Sequence, residues 1–246
     1  MKYTRPELPP RSLTVFFPCH NEQGNVERVT RQAVEIGRRI TDDLEVLIVD
    51  DGSRDRTGEI AAALAEEISE VRVVSHEVNR GYGAALRSGY RAATKDWIFY
   101  TDGDGQFDLG DLPGVIEGLG DHDIFSGVRS NRQDSLLRKI NAHLWNLLIW
   151  AVIGLRLRDI DCAFKLMPAN FIHSIEIKSD GAMVDAEVLF LAAHTGLDIQ
   201  QSSVRHLPRS AGESCGAKPA VILRALREVF TIRRRLRRRT PGPAKE

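Results

Sequence analysis

Short apolar runs closed by polar clusters alternate, over the first hundred residues, with stretches whose apolar positions recur every three or four residues. Leu13-Thr-Val-Phe-Phe17, stopped by Pro18, predicts a first strand. Val26, Val29, Ala33, Ile36 and Ile40 then fall on one face of a helix. Leu44 to Val49 predicts a second strand and the alanine-rich Ile60 to Ile68 a helix. Val71 to Val74 predicts a third strand, Gly83 to Ala93 a helix, and Trp97 to Tyr100 a fourth strand. Such alternation predicts an α/β fold with a mainly parallel sheet flanked by helices. Ligands of such sheets bind beyond the carboxyl ends of the strands.

The second half is less regular. Asp123 to Gly127 and Phe164 to Met167 predict strands, and Val184 to His194 a helix closed by Gly196 as its C-cap. Asp198 to Leu207 alternates in part and predicts one more strand. A helix over Leu136 to Ile153, with Trp145 and Trp150, is apolar over nearly its whole circumference. It is shorter than the roughly 20 apolar residues that span a bilayer, so it is either buried or interfacial. Ala220 to Arg239 predicts a basic amphipathic helix, ended by Pro241-Gly-Pro, with a disordered tail beyond. The organisation expected is a tail over 1–11, one domain over 12–217, and the basic helix and tail over 218–246.

Three polar clusters fall where predicted strands end: Cys19-His-Asn-Glu22, Asp50-Asp-Gly-Ser53 and Asp102-Gly-Asp104-Gly-Gln106. In the third, Asp102, Asp104 and Gln106 would share one face of an extended chain, and oxygen ligands on one face suit Mg²⁺ or Mn²⁺. Mg²⁺ takes one or two protein carboxylates and completes its sphere with water and substrate phosphates, so a metal-bridged diphosphate is the natural ligand. The alternative is a solvated acidic turn, since Asp and Gly are ordinary loop residues. Three clusters on one sheet edge favour the metal.

Composition narrows the class. With 42% apolar and 28% charged residues the chain has the make-up of a soluble globular protein. Its three cysteines, Cys19, Cys162 and Cys215, lie far apart, which argues against a disulfide framework or a zinc site and for a reducing compartment. The polar, proline-rich stretch from Met1 to Arg11 predicts no signal peptide. The formal charge is zero, yet residues 218–246 hold ten Lys and Arg against two acids, a net of +8 that leaves −8 on residues 1–217. That basic segment, with six arginines between 233 and 239, predicts contact with a polyanion. An anionic membrane surface is favoured, with no nucleic acid expected, and the chain is placed peripherally on the cytoplasmic face.

Taken in order, Pro18-Cys-His-Asn-Glu22, Val49-Asp-Asp-Gly-Ser53, Asn79-Arg-Gly-Tyr-Gly83, Asp102-Gly-Asp104-Gly-Gln106, Gly127-Val-Arg129, Asp159-Ile-Asp-Cys-Ala-Phe-Lys165 and Pro208-Arg-Ser-Ala-Gly-Glu-Ser214 resemble the family 2 glycosyltransferases of GT-A fold. Within them the chain is similar to the dolichol-phosphate and polyprenyl-phosphate mannosyl- and glucosyltransferases. The resemblance covers about residues 12–235. It implies that a hexose passes, with inversion, from GDP-mannose or UDP-glucose to a polyprenyl phosphate. It also implies that Pro18, His20, Asn21, Glu22, Asp50, Asp51, Gly81, Gly83 and Asp102 form the nucleotide-sugar site. Asp102, Asp104 and Gln106 would hold Mg²⁺ or Mn²⁺, and Arg129, Arg138, Arg209 and Ser214 would meet the acceptor and its phosphates. Asp102, Asp104, Arg129, Arg138 and Asp161 are the residues expected to carry the chemistry. His20 stands where these enzymes commonly have tyrosine. Two other readings remain: a family 2 enzyme acting on a soluble glycan or metabolite, and a non-catalytic nucleotide-binding or membrane-adaptor protein on the same fold.

Overall fold

The computed structural model describes residues 4–130, 150, 154–179, 181 and 183–208. The predicted helices over Leu136 to Ile153 and over 220–239, together with Arg138, Arg209 and Ser214, lie outside the described residues, apart from Trp150 at the end of the first.

β1 (Ser12–Cys19), α1 (Val26–Ile40), β2 (Asp43–Asp50), α2 (Thr57–Glu67), β3 (Val71–Ser75), α3 (Tyr82–Ala92) and β4 (Trp97–Thr101) follow the predicted alternation within a few residues. A 3₁₀ turn (Leu109–Asp111) leads into α4 (Leu112–Gly118), and two short strands follow, β5 (Ile124–Ser126) and β6 (Val128–Ser130). Then come β7 (Phe164–Pro168), α5 (Ala169–Ser174), α6 (Met183–His194), β8 (Ile199–Gln200) and β9 (Ser203–Arg205). The expected strand over Asp198 to Leu207 is thus two strands, one pairing with β5 and the other with β6.

The main sheet has the order β3-β2-β1-β4-β7-β5-β8. β1, β2, β3 and β4 are mutually parallel, and β7 runs antiparallel to both β4 and β5. Because β2 and β3 lie on one side of β1 and β4 on the other, the winding reverses between β1 and β4. A crevice opens beyond the carboxyl ends of strands at such a reversal, and the polar clusters after Pro18, Val49 and Thr101 sit there.

The central strands are buried on both faces, which is why they read as continuous apolar runs; Phe16, Phe17, Val46, Leu47, Ile48, Ile98, Phe99 and Tyr100 are all fully covered. α1 buries Val26, Val29, Ala33 and Ile36 and places Glu27 in its first turn and Arg38 and Arg39 in its last, signs that suit the helix dipole. Phe16 stacks on Tyr100 and meets Tyr90 edge-on, with centroids 5.6 and 5.0 Å away. α3 lies close on this strand because Gly89 has no side chain: a Cβ there would come within 2.3 Å of the Phe16 ring. Gly89→Val is therefore expected to destabilise the fold by about 1–3 kcal/mol through overpacking, read as a lower urea midpoint with an unchanged slope.

Candidate functional site

Gly103 and Gly105 let β4 end in a tight acidic turn. A Cβ on Gly103 would stand 2.6 Å from the Pro18 carbonyl and 2.5 Å from Cys19 Sγ, so only glycine lets this turn press against the end of β1. Gly105 has φ +69°, a conformation that glycine adopts without steric cost. The Gln106 amide N–H donates to Asp104 Oδ1 at 3.0 Å. The segment therefore folds back after Asp104 and does not remain extended as the face-sharing expectation required. Gln106 Nε2 donates to the Leu207 carbonyl at 3.2 Å, and Leu207 N–H returns a bond to the Gln106 carbonyl at 2.6 Å. This ties the acidic turn to the end of β9; the two carboxylates are left as the chemically distinctive pair.

The loops after β1 and β2 are joined by side chain–backbone hydrogen bonds. Asn21, itself at φ +57°, donates its amide N–H to Ser53 Oγ at 3.0 Å and accepts from Arg54 N–H at 2.8 Å. Glu22 N–H donates to Thr57 Oγ1 at 2.8 Å, and the Glu22 carboxylate accepts from Asn25 Nδ2 at 2.6 Å. Asp50 Oδ1 accepts from Ser53 N–H at 3.1 Å, a turn-forming role. Asp51 is buried and accepts from the backbone N–H groups of Arg80 and Gly81 at 2.9 and 2.8 Å. His20 Nδ1 meets the Asp51 carbonyl at 2.9 Å. Asp51 thus shapes the Asn79–Gly83 segment through its backbone, and Gly81, at φ +90°, donates one of those bonds. Asp51, His76 and Ser88 lie in a line, with Nδ1 2.6 Å from Asp51 and Nε2 2.8 Å from Ser88. That resembles a nucleophile triad, but the His76 side chain is buried and Asp51 already holds two amides, so the line braces the loop.

The convergence is registered by one sulfur. The Cys19 thiol is pushed well up, first by burial and then by the carboxylates of Glu22, Asp50, Asp104 and Asp102. Three strand ends must meet around Cys19 for all four charges to act on it. Asp102 feels the crowding most: burial, then repulsion from Asp104, push its carboxyl up to about 7 against the lowering effect of a hydrogen bond from Tyr82. Asp185 raises it further and Arg129 lowers it. Arg129 is held by Asp159, with its backbone N–H at 2.9 Å and Nε at 2.8 Å from Oδ2 and Nη2 at 2.5 Å from Oδ1. Burial pulls the guanidinium pKa down, but Asp159 outweighs it and the net shift is upward. The bidentate contact uses two of the five guanidinium N–H groups.

The expected site residues Pro18, His20, Asn21, Glu22, Asp50, Asp51, Gly81, Gly83, Asp102, Asp104 and Arg129 therefore gather at one edge of the sheet. Sequence reading missed Tyr82, Tyr100, Lys165 and Asp185 beneath Asp102. Two of them lay inside quoted motifs, and Asp185 was legible as one of two carboxylates, with Glu187, in a largely apolar helix.

Among the described residues no three His, Cys, Asp or Glu side chains form a metal cluster. The site nonetheless fits a hard divalent cation. It offers two carboxylates on a tight turn, and a cation would offset both the burial and the repulsion that hold Asp102 near 7. Without a metal, the raised Asp102 carboxyl means the folded chain binds its proton more tightly than the unfolded one between the ordinary value of 3.8 and about 7. Stability of the metal-free protein should therefore fall as pH rises through that window. Asp102→Asn is expected to melt above wild type at pH 8 in EDTA, with the gap closing towards pH 5.

The model of the family described as "Glycosyl transferase family 2" matches residues 14–173. Undecaprenyl-phosphate 4-deoxy-4-formamido-L-arabinose transferase of Pseudomonas paraeruginosa is 27% identical over 206 residues, which cover 82% of this chain and 59% of that protein. The Salmonella choleraesuis enzyme of the same name is 31% identical over 163 residues, 64% of this chain and 49% of that one. The chain spans about half to three-fifths of the length of the curated relatives it matches. Among solved structures, mannosyl-3-phosphoglycerate synthase from Rubrobacter xylanophilus superposes with a TM-score of 0.69 at 17% identity, covering 94% of this chain and 78% of that one. Glucosyl-3-phosphoglycerate synthase from Mycobacterium tuberculosis, in complex with Mn²⁺, UDP-glucose and phosphoglyceric acid, gives 0.66 at 20% identity, covering 91% and 79%.

Proposed function

The chain belongs to glycosyl transferase family 2 and has a GT-A fold, and on that footing we propose that it transfers a sugar from a nucleotide-diphosphate donor to a polyprenyl phosphate. The carrying observation is the gathering of Glu22, Asp50, Asp102 and Asp104 around Cys19, with Arg129 near enough to lower the Asp102 pKa. In this reading Asp102 and Asp104 hold Mg²⁺ or Mn²⁺, and the loops carrying His20 to Glu22 and Asp50 to Ser53 receive the nucleoside. Bound there, the cation would neutralise charge developing on the leaving diphosphate. Arg129 adds a fixed positive charge on the same side. Asp159 positions that arginine, which fits a positioning role better than that of a base, and Asp161 is assigned likewise. Arg138, Arg209 and Ser214 are assigned to the acceptor phosphate.

The acceptor assignment has a chemical argument behind it. A phosphate monoester, with a second pKa near 6, is already largely ionised at neutral pH and needs no strong base to attack. An alcohol acceptor would need one within hydrogen-bond reach. The names of the relatives, which join undecaprenyl phosphate to a sugar, support the lipid acceptor. The same names carry a formamido-arabinose, so we place the donor sugar more broadly than the mannose or glucose expected from the sequence. Among the described residues no helix is long and apolar enough to cross a membrane; we assign membrane contact to the arginine-rich segment over 233–239. A second reading takes a soluble phosphorylated acceptor, and is favoured by the phosphoglycerate synthases that cover nine-tenths of this chain.

One competition assay separates these readings. The full chain receives UDP-glucose or GDP-mannose with Mn²⁺, and equal amounts of a polyprenyl phosphate, the matching polyprenol and phosphoglyceric acid. Sugar is expected on the polyprenyl phosphate, with turnover cut on the order of 10²–10³-fold in Arg129→Ala. Labelling of the polyprenol alone would reject the proposal, and labelling of phosphoglyceric acid alone would establish the second reading.

A further inference from the structure

Behind the acidic turn runs a line of buried polar groups. The Lys165 side chain is 0% exposed, on a strand that is otherwise apolar. Its ammonium pairs with Asp185 Oδ1 at 2.9 Å and donates to the Cys162 carbonyl at 2.5 Å. Asp185, also buried, accepts from the Tyr100 hydroxyl at 2.7 Å. The Tyr100 oxygen faces the Tyr82 hydroxyl at 3.3 Å, and the Tyr82 hydroxyl donates to Asp102 Oδ1 at 3.0 Å. The Lys165 ammonium also lies 5.3 Å from the centre of the Tyr100 ring.

Donor counting decides where each proton lies. Each tyrosine has one hydroxyl proton. The proton of Tyr100 is committed to Asp185, whose place is fixed by the buried lysine. Tyr82 can then donate either to the neutral Tyr100 oxygen or to the closer Asp102 carboxylate. An ionised acceptor makes the stronger bond, so Asp102 receives it. No proton is then left to join the two tyrosines, and Tyr82 alone holds this oxygen of Asp102 from behind.

We propose that Tyr82 is a positioning residue that orients Asp102 to receive a divalent cation. The inference rests on the metal assignment made above and adds a residue to it. Groups that orient metal ligands from outside the coordination sphere change affinity about 10–100-fold when removed. Tyr82 is 37% exposed, so Tyr82→Phe removes one hydroxyl without opening a cavity in the core.

The test is a titration of Mn²⁺ alone into the full chain, followed through the free-ion electron paramagnetic resonance signal, with thermal melting measured in parallel. Asp102→Asn is expected to lose most of the binding. Tyr82→Phe is expected to raise the Kd about tenfold with an unchanged melting temperature. Tyr100→Phe, which leaves the Tyr82–Asp102 bond in place, is expected to keep the wild-type Kd. Wild-type affinity in Tyr82→Phe alongside impaired Asp102→Asn would overturn the inference and leave the metal site standing. Wild-type affinity in Asp102→Asn would remove the metal site itself, and the inference with it. A Kd raised as far by Tyr100→Phe as by Tyr82→Phe would also overturn the inference, because the Tyr82 bond would then not be what holds Asp102.

Discussion

Crowding carboxylates at one end of a sheet is electrostatically unfavourable, and the rest of the site is arranged around that constraint. Glu22, Asp50, Asp102 and Asp104 all act on the Cys19 thiol. They come from three turns, with Asp102 and Asp104 sharing one, and each turn is fixed by its own hydrogen bonds. Backbone amides quiet some of the charge: Ser53 N–H for Asp50, and Gln106 N–H for Asp104. Asp51 is removed from the group by two amides and His76. At Asp102 the remaining repulsion, chiefly from Asp104, adds to the larger effect of burial, and together they raise its pKa. A divalent cation is the ligand that lowers the energy of such an arrangement most directly.

The sheet makes the crowding possible. Reversal of the winding between β1 and β4 brings their carboxyl ends side by side, and the contact of Gly103 with Pro18 and Cys19 fixes the spacing. On the far side, the antiparallel β7 carries Lys165 beneath the acidic turn, and α6 supplies Asp185 to meet it. A buried ion pair of this kind contributes little to stability compared with apolar packing, but removing one partner is costly. Its value here lies in fixing Tyr100, whose hydroxyl donates to Asp185.

Much of this was legible in the sequence, for physical reasons. β1, β2 and β4 are buried on both faces, so they read as nearly continuous apolar runs, while the edge strand β3 exposes Arg72; the polar residues that stop the central runs mark the carboxyl edge of the sheet. The direction of β7 was not legible, because strand polarity leaves no trace in local periodicity. Lys165 reads as a surface residue until Asp185, twenty positions on, is known to face it. The roles of Asp50 and Asp51 were joined in one motif and are divided in the structure, since the partners of Asp51 come from residues 76–81. The split of the last strand followed from its imperfect alternation: Ile199 and Gln200 pair with one neighbour, Ser203 to Arg205 with another.

The acidic edge is proposed to bind a nucleoside diphosphate through a metal ion, and isothermal titration of UDP and of GDP into the full chain, with Mn²⁺ and then with excess EDTA, decides the matter. At least one nucleotide is expected to bind with a Kd of about 1 μM to 1 mM, the range of enzyme–substrate complexes. This binding is expected to disappear in EDTA and in Asp104→Asn. Nucleotide binding that is equally tight in EDTA, or absent under both conditions, would contradict the proposal.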